Sequence, residues 1–206
     1  MTDNTGMWNS LERWRSLAFL APGVGFLLVT INAVLILVAN TGMNLSPLVH
    51  LGLVLVAYVG LLGLSPRLVE RAPQLGRVCQ VFVLIVGVEI VLTFGVSLIP
   101  SLMSRSFFAV TVAMGVLGSA LTMTVFGATT LWTRAYSRRV GGFLLLAAVA
   151  LSIIIVKELL FGTQGGPQWV TIVNNGIMGF SLIAVGGLLR TESEPTEQIE
   201  AVETGV

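Results

Sequence analysis

Three ionisable side chains lie inside long apolar stretches of the chain: Glu89, Lys157 and Glu158. A charge at the centre of a bilayer costs about 2.5 kcal/mol on insertion scales and more than about 10 kcal/mol in simulations of isolated helices. A carboxyl group alone in lipid is therefore expected to be protonated, whereas an ionised Glu89 would need Lys157 or His50 as its partner. A proton-coupled carrier would use this change of charge, and a structural ion pair would not.

Polar residues of the apolar segments fall in the same, outer half of the membrane when depth is counted at about 1.5 Å per helical residue. The candidate ligand- or ion-binding residues are His50, Glu89, Lys157, Glu158, Asn174 and Asn175. One interpretation is an outward-open polar pocket lined by these side chains. The other is a set of contacts between helices, including a Glu89–Lys157 ion pair. Both interpretations leave the cytoplasmic half of the bundle almost entirely apolar, apart from Gln80 and scattered serine and threonine residues.

The spacing of these residues indicates which of them can share a partner or a helix face. Neighbouring residues on a helix point about 100° apart, so Lys157 and Glu158 cannot both face one partner. Glu158 lies close enough to the outer end of its segment to reach water, and the long Lys157 side chain can extend toward the interface. Glu89, Thr93 and Ser97 follow one another at four-residue steps. This line predicts either a hydrated stripe or a packing face of small side chains.

Small residues at helical spacing predict where helices approach one another closely. The candidates for helix packing are Gly115, Gly118, Ser119, Gly176 and Gly179. The Pro22-Gly23-Val24-Gly25 run and the Gly141-Gly142 pair predict positions at which a helix can bend.

Several catalytic and cofactor-binding classes have no signature in the chain. A single histidine nearly excludes a di-haem cytochrome, and no spacing of His, Cys, Asp and Glu is typical of a zinc site. Neither a phosphate-binding glycine loop nor a Gly-x-Ser-x-Gly nucleophile motif occurs. We therefore expect no catalytic residue, no metal and no cofactor, and we expect Cys79 to act as a small apolar side chain.

The segments that contain these residues are apolar, and they follow one another almost without interruption along the chain. Of 206 residues, 55% are hydrophobic and only 10% are charged, and the mean hydropathy is +0.93. Soluble domains carry about a quarter charged residues, so this composition cannot provide a soluble surface. About 20 apolar residues cross a bilayer as a helix. Six segments reach this scale: Leu17–Ala39, Pro47–Leu64, Val78–Ile99, Phe107–Trp132, Val140–Phe161 and Trp169–Leu189.

The sequence thus predicts an all-α polytopic membrane protein, a bundle of six transmembrane helices. Turn residues separate the segments, and Ser65-Pro66 is predicted to end the second one. Residues 1–16 form a polar cytoplasmic segment, residues 17–190 form the transmembrane domain, and residues 191–206 form an acidic tail that we expect to be disordered. Ten arginines against one lysine favour a prokaryotic source.

Arginine residues determine the predicted orientation. Nine of the ten lie before the first segment, after the last one, or in the second and fourth connections, whereas only Arg105 lies in the third. Positively charged connections stay in the cytoplasm, so both termini are predicted to be cytoplasmic in a multi-pass protein of the cell membrane. Aromatic residues at segment ends are predicted to lie at the membrane interface: Trp8, Trp14, Trp132, Tyr136 and Trp169.

Two functions from different classes fit these observations. The first is a non-catalytic accessory or assembly subunit of a larger membrane complex, and the lack of a cofactor signature favours it. The alternative is a small transporter, channel or ligand-binding subunit with an outward-facing polar pocket around Glu89 and Lys157. The expected partners are the lipid bilayer and either other membrane subunits or a second copy of the chain. A net charge of +1 gives no basic field for nucleic acid.

Overall fold

The structure, a computed structural model, consists of six α-helices joined by short connections. It describes residues 5–43, 47–97, 105–161 and 167–203. In chain order the helices are α1 (Thr5–Ala39), α2 (Pro47–Arg71), α3 (Pro73–Ser97), α4 (Arg105–Thr133), α5 (Arg138–Phe161) and α6 (Gln168–Glu203). Each contains a stretch that is long and apolar enough to cross a membrane. The prediction of an all-α chain with six such helices is confirmed.

The helices form a closed ring. Helices that follow one another in the chain pack side by side, and α6 returns to contact α1. Because α2 also contacts α4, α3 lies at the periphery of the bundle. We call the end at which α1 begins and α6 ends the terminal end, and the α2–α3 and α4–α5 connections lie there too. We call the other end, at which α1 ends and α6 begins, the opposite end.

The outer surface of the ring is rich in large apolar side chains. Val38, Ile85 and Leu92 expose 79%, 64% and 63% of their surface. The interior is apolar as well, and among its fully buried side chains are Phe19, Leu61, Phe126, Leu144 and Leu182. Helices that are apolar around their whole circumference are typical of membrane spans.

The peripheral helix α3 buries one narrow stripe. Its buried residues recur at steps of three and four: Gly76, Cys79, Val83, Val86, Ile90 and Thr93. This spacing is that of a left-handed seam between packed helices. Glu89 precedes Ile90 and is only partly buried. It therefore lies at the boundary between the packed interior and the outer surface.

Glycines bring two pairs of helices into backbone contact. A Cβ atom on Gly179 of α6 would lie 2.9 Å from the carbonyl oxygen of Gly23 in α1. A Cβ atom on Gly127 of α4 would lie 2.9 Å from the carbonyl oxygen of Gly141 in α5. These distances leave no room for a side chain, so both close approaches require glycine.

The end of α2 differs from the sequence prediction. The break expected at Ser65-Pro66 is wrong, because Pro66 lies inside a helix that continues to Arg71. Proline has no N–H to donate to the carbonyl group four residues earlier, which here is that of Leu62. The Ser65 hydroxyl donates to this carbonyl at 2.7 Å and replaces the missing bond. The connection to α3 is thereby reduced to Ala72.

Two residues with positive φ end helices. Asn40, with φ of 51°, follows α1, and Arg134, with φ of 52°, follows α4. This left-handed conformation is a common helix end, and asparagine tolerates it better than most residues. Asn32 of α1 binds the chain that follows Asn40. The side-chain amide of Asn32 donates to the Met43 carbonyl and accepts from the Met43 N–H, both at 2.9 Å.

The first and last helices extend past the apolar segments at the terminal end. α1 begins at Thr5, so most of the polar segment 1–16 is helical, and α6 continues through the acidic residues to Glu203. The disorder expected from the sequence over residues 191–206 stays a prediction. Residues 204–206 lie outside the described part of the chain.

Candidate functional site

The carboxyl group of Glu89 lies between α3 and α4. Its Oε1 atom accepts a hydrogen bond from the Thr93 hydroxyl, one helical turn away, at 3.1 Å. Its Oε2 atom is buried and has no hydrogen-bond partner among the described residues. On α4 the carboxyl faces Gly115, where a Cβ atom would lie 2.8 Å from Oε2. The missing side chain at Gly115 therefore makes the room that the carboxyl group occupies.

A groove of about 370 Å³ runs beside this carboxyl group. The residues that line it are Ile85, Val88, Glu89, Leu92, Thr93, Val96 and Thr111. Ile85, Val88 and Leu92 are each more than half exposed. The groove consequently opens to the outer surface of the ring rather than to its centre, and we call it the Glu89 groove.

Lys157 of α5 has its contact on another side of the ring. Its Nζ atom donates to the hydroxyl of Thr171 in α6 at 3.0 Å. Within the described part of the chain no ion pair joins Lys157 to Glu89, so the ion pair suggested by the sequence is not formed. The reason is the helix order, because α3 packs against α2 and α4 whereas α5 packs against α4 and α6.

His50 and the two asparagines lie in further contacts between helices. The half-buried imidazole ring of His50 packs edge-on against the ring of Phe26 in α1, with centroids 6.1 Å apart. Asn174 and Asn175 of α6 are buried, exposing 2% and 3% of their surface. The Asn174 Oδ1 and Asn175 Nδ2 atoms have no partner among the described residues. The side chain of Glu158 lies outside the described residues.

The candidate site residues are thus distributed around the ring. His50 contacts α1 from α2, Glu89 contacts α4 from α3, and Lys157 contacts α6 from α5. In the described structure no hydrogen bond or ring contact joins any two of them. A location in the same half of the bundle, which sequence depth predicts, does not bring them into contact.

The residues predicted for helix packing lie where helices meet: Gly115, Gly118 and Ser119 on α4, and Gly176 and Gly179 on α6. A Cβ atom on Gly118 would lie 2.9 Å from a methyl carbon of Val86 in α3. The Ser119 hydroxyl accepts a hydrogen bond from the Tyr58 hydroxyl of α2 at 3.1 Å. The small residues of α4 therefore face both α2 and α3.

A cluster of arginine and tyrosine, not predicted from the sequence, lies at the terminal end. Arg15 exposes only 2% of its surface, and its Nη1 atom donates to the Tyr136 hydroxyl at 3.4 Å. That hydroxyl donates to the Leu64 carbonyl at 3.2 Å. The guanidinium carbons of Arg15 and Arg67 each lie 5.5 Å from the centre of the Tyr136 ring, a cation–π distance. The cluster joins α1, α2 and the α4–α5 connection.

This cluster adds to the expectations from the sequence. Tyr136 is buried in the protein, since it exposes 4% of its surface, whereas Trp132 exposes 84%. Besides scattered serine and threonine residues, the terminal end buries Arg15. The one sequence signal for the cluster is a tyrosine placed within an arginine-rich connection.

The described residues include no group of three His, Cys, Asp or Glu side chains that could hold a metal ion. Cys79 is buried and donates its S–H to the Thr129 hydroxyl at 3.6 Å.

No protein family, curated protein or solved structure matches the chain. Function is therefore inferred from side-chain geometry alone.

Proposed function

We propose that this is an integral protein of the cell membrane with both termini in the cytoplasm, and that it serves as a non-catalytic accessory subunit of a larger membrane complex. The observation that carries this proposal is the Glu89 carboxyl group beside a groove that opens to the outer surface of the ring. A carboxyl group next to lipid is costly. A partner subunit that covers the groove would remove this cost, and the isolated bundle would not.

Polar groups elsewhere in the bundle support a structural role. Tyr58 joins α2 to α4 through Ser119, and Lys157 joins α5 to α6 through Thr171. Hydrogen bonds of this kind hold transmembrane helices together. Of the candidate site residues, Lys157 makes such a bond, whereas Glu89 Oε2, Asn174 Oδ1 and Asn175 Nδ2 have no partner among the described residues.

The proposed orientation rests on charge. Nine arginines belong to the terminal end of the ring, against Arg105 alone at the opposite end. Basic residues are retained on the cytoplasmic side of a membrane. The terminal end is therefore assigned to the cytoplasm.

The alternative function, a small transporter, channel or ligand-binding subunit, requires His50, Glu89, Lys157 and the asparagines to line one cavity. Their contacts in the described structure fall on separate helix pairs. No specific observation favours this alternative over the accessory subunit.

Site-directed crosslinking in native membranes tests the proposal. The single native cysteine, Cys79, is buried, and Cys79→Ser retains a hydroxyl for Thr129. On this background Leu92→Cys places a thiol in the Glu89 groove, and Val173→Cys places one on α6 at a matched depth. Leu92 and Val173 each lie five residues from the helix end at the opposite end of the bundle. They expose 63% and 49% of their surface.

A thiol-reactive photocrosslinker is expected to give a discrete product with a different protein from the Leu92→Cys chain and none from the Val173→Cys chain. Identical products from both positions would contradict specific docking at the groove. A product that contains only two copies of the chain would contradict the larger complex and identify a homo-oligomer instead. A monomer without crosslinked product, monodisperse in mild detergent, would exclude the accessory function.

A further inference from the structure

The Glu89 carboxyl group keeps an unused acceptor. The Thr93 hydroxyl bonds to Oε1, and the buried Oε2 atom has no partner among the described residues. A buried acceptor that lacks a donor is destabilising, and the effect is larger when the acceptor carries a charge. If the carboxyl group turns from Gly115 toward the groove, an occupant of the groove that presents a donor would remove this destabilisation.

The described residues bring no cation to this carboxyl group. Lys157 is bonded to Thr171 between α5 and α6. Arg15 and Arg67 lie against Tyr136 at the terminal end. Glu89 is sixteen residues from Pro73, where α3 begins at that end, and sixteen residues correspond to about 24 Å along a helix. This separation exceeds the length of an arginine side chain, so the described arginines at the terminal end cannot supply a cation to Glu89.

The groove has the form of a helix-packing site. Ile85, Val88, Leu92 and Val96 line it at steps of three and four residues, which is the spacing of a ridge on a helix surface. The eleven helical steps from Ile85 to Val96 correspond to a length of about 16 Å. The side chains of a second helix pack beside such a ridge. Three of the four wall residues are more than half exposed and available for this contact.

We infer that the Glu89 groove receives a transmembrane helix of a partner subunit that carries one lysine or arginine near its midpoint. The cationic nitrogen pairs with the Glu89 carboxylate, which turns from Gly115 toward the groove to meet it, and the apolar side chains around the cation pack on Ile85 and Leu92. This inference rests on the proposed accessory function and adds the chemistry by which the partner is recognised. The carboxyl group and the cation are each costly alone in lipid, so pairing them selects the correct partner over an apolar helix.

Designed transmembrane peptides test this recognition with the full-length protein. Two leucine–alanine peptides that are long enough to cross a bilayer carry Lys or Met at the centre, because methionine is an unbranched apolar counterpart of lysine. The protein carries Cys79→Ser and Gln74→Cys, with a donor fluorophore at the exposed position 74, far from the groove. Energy transfer to acceptor-labelled peptides in phosphatidylcholine vesicles gives the two dissociation constants.

The Lys peptide is expected to bind about tenfold more tightly than the Met peptide, equivalent to about 1.4 kcal/mol. This preference lies within the range measured for polar contacts between transmembrane helices. Glu89→Gln keeps the shape of the side chain and is expected to reduce the preference to about twofold or less. Gly115→Ala is a second variant, since its Cβ atom would lie 2.8 Å from Oε2 and displace the carboxyl group.

Equal binding of the two peptides to the unmodified groove would overturn the inference, whether or not the variants fold. A lysine preference that persists in the Glu89→Gln protein would also overturn it. So would tighter binding of tetraphenylphosphonium than of the Lys peptide, which would identify a site for small lipophilic cations. If Leu92→Cys crosslinks a partner in native membranes while the two peptides bind equally, the accessory function stands and only the charge recognition fails.

Discussion

Arg15 and Tyr136 are 121 residues apart in the chain, yet Arg15 Nη1 donates to the Tyr136 hydroxyl at 3.4 Å. The same hydroxyl donates to the Leu64 carbonyl at 3.2 Å. One tyrosine thereby connects the first helix, the second helix and the connection between α4 and α5. Burial of a guanidinium group is tolerated when it has hydrogen-bond and cation–π partners, and Tyr136 provides both for Arg15.

Tyr136→Phe is expected to lower the free energy of unfolding by about 1–3 kcal/mol. The ring is retained, but the hydroxyl that accepts from Arg15 and donates to Leu64 is lost. Unfolding with sodium dodecyl sulfate in mixed micelles measures the change. Trp132→Phe is the control, because Trp132 exposes 84% of its surface and should have little effect. Equal stability of the two variants would contradict a structural role for the cluster.

Adjacent glycines of α6 should differ sharply in their tolerance of a methyl group. A Cβ atom on Gly186 would lie 2.7 Å from the Ser16 carbonyl oxygen of α1, whereas a Cβ atom on Gly187 meets nothing within 4 Å. Gly186→Ala is therefore expected to lower the free energy of unfolding by about 1–3 kcal/mol. Gly187→Ala is expected to be neutral, or stabilising by up to about 1 kcal/mol through helix propensity. The same unfolding measurement compares them, and a smaller loss for Gly186→Ala than for Gly187→Ala would refute the close α1–α6 contact.

The effect of Ser65→Ala should depend on Pro66. With proline present, removing the Ser65 hydroxyl leaves the Leu62 carbonyl without its donor and should cost about 1–3 kcal/mol of unfolding free energy. In a Pro66→Ala background the new N–H group bonds to Leu62, so Ser65→Ala should cost less. A double-mutant cycle measures the coupling between the two positions, which we expect to be about 1 kcal/mol. Strict additivity would mean that the hydroxyl does not replace the missing backbone bond.

The two ends of the bundle should differ in accessibility from outside the cell. On the Cys79→Ser background, Met43→Cys places an exposed thiol at the opposite end, and Gln74→Cys places one at the terminal end. A membrane-impermeant maleimide should label the first in intact cells and the second only after permeabilisation, because we propose that the arginine-rich end lies in the cytoplasm. The reverse pattern would invert the proposed orientation. Labelling of both in intact cells would exclude the six-span topology.

Much of the fold was predictable because the length of an apolar run is a local property. Each of the six segments contains enough apolar residues to span a bilayer, whatever its neighbours are. The error at the end of α2 has a local cause that composition does not reveal. Pro66 is tolerated there because the Ser65 hydroxyl bonds to the Leu62 carbonyl, and that choice of rotamer is visible only in the structure.

The candidate site was less predictable. The sequence singled out Glu89 as an ionisable residue inside an apolar segment, but it could not identify Thr93 and Gly115 as the residues that hold its carboxyl group. It also could not show that Tyr136 is buried, because an aromatic residue next to a helix end is as compatible with the membrane interface as with the interior.

The sequence by itself determined the number of helices, their approximate extents and the residues that are costly in lipid. Only the tertiary structure decided which helices are neighbours, and hence that Lys157 bonds to Thr171 while Glu89 faces Gly115 beside an outward groove. The physical reason is that lipid and the bundle interior are nearly equally apolar, so hydropathy does not distinguish a face that meets another helix from one that meets lipid. Helix order depends on the fit of small residues and the pairing of hydrogen-bonding groups, both of which arise between distant parts of the chain.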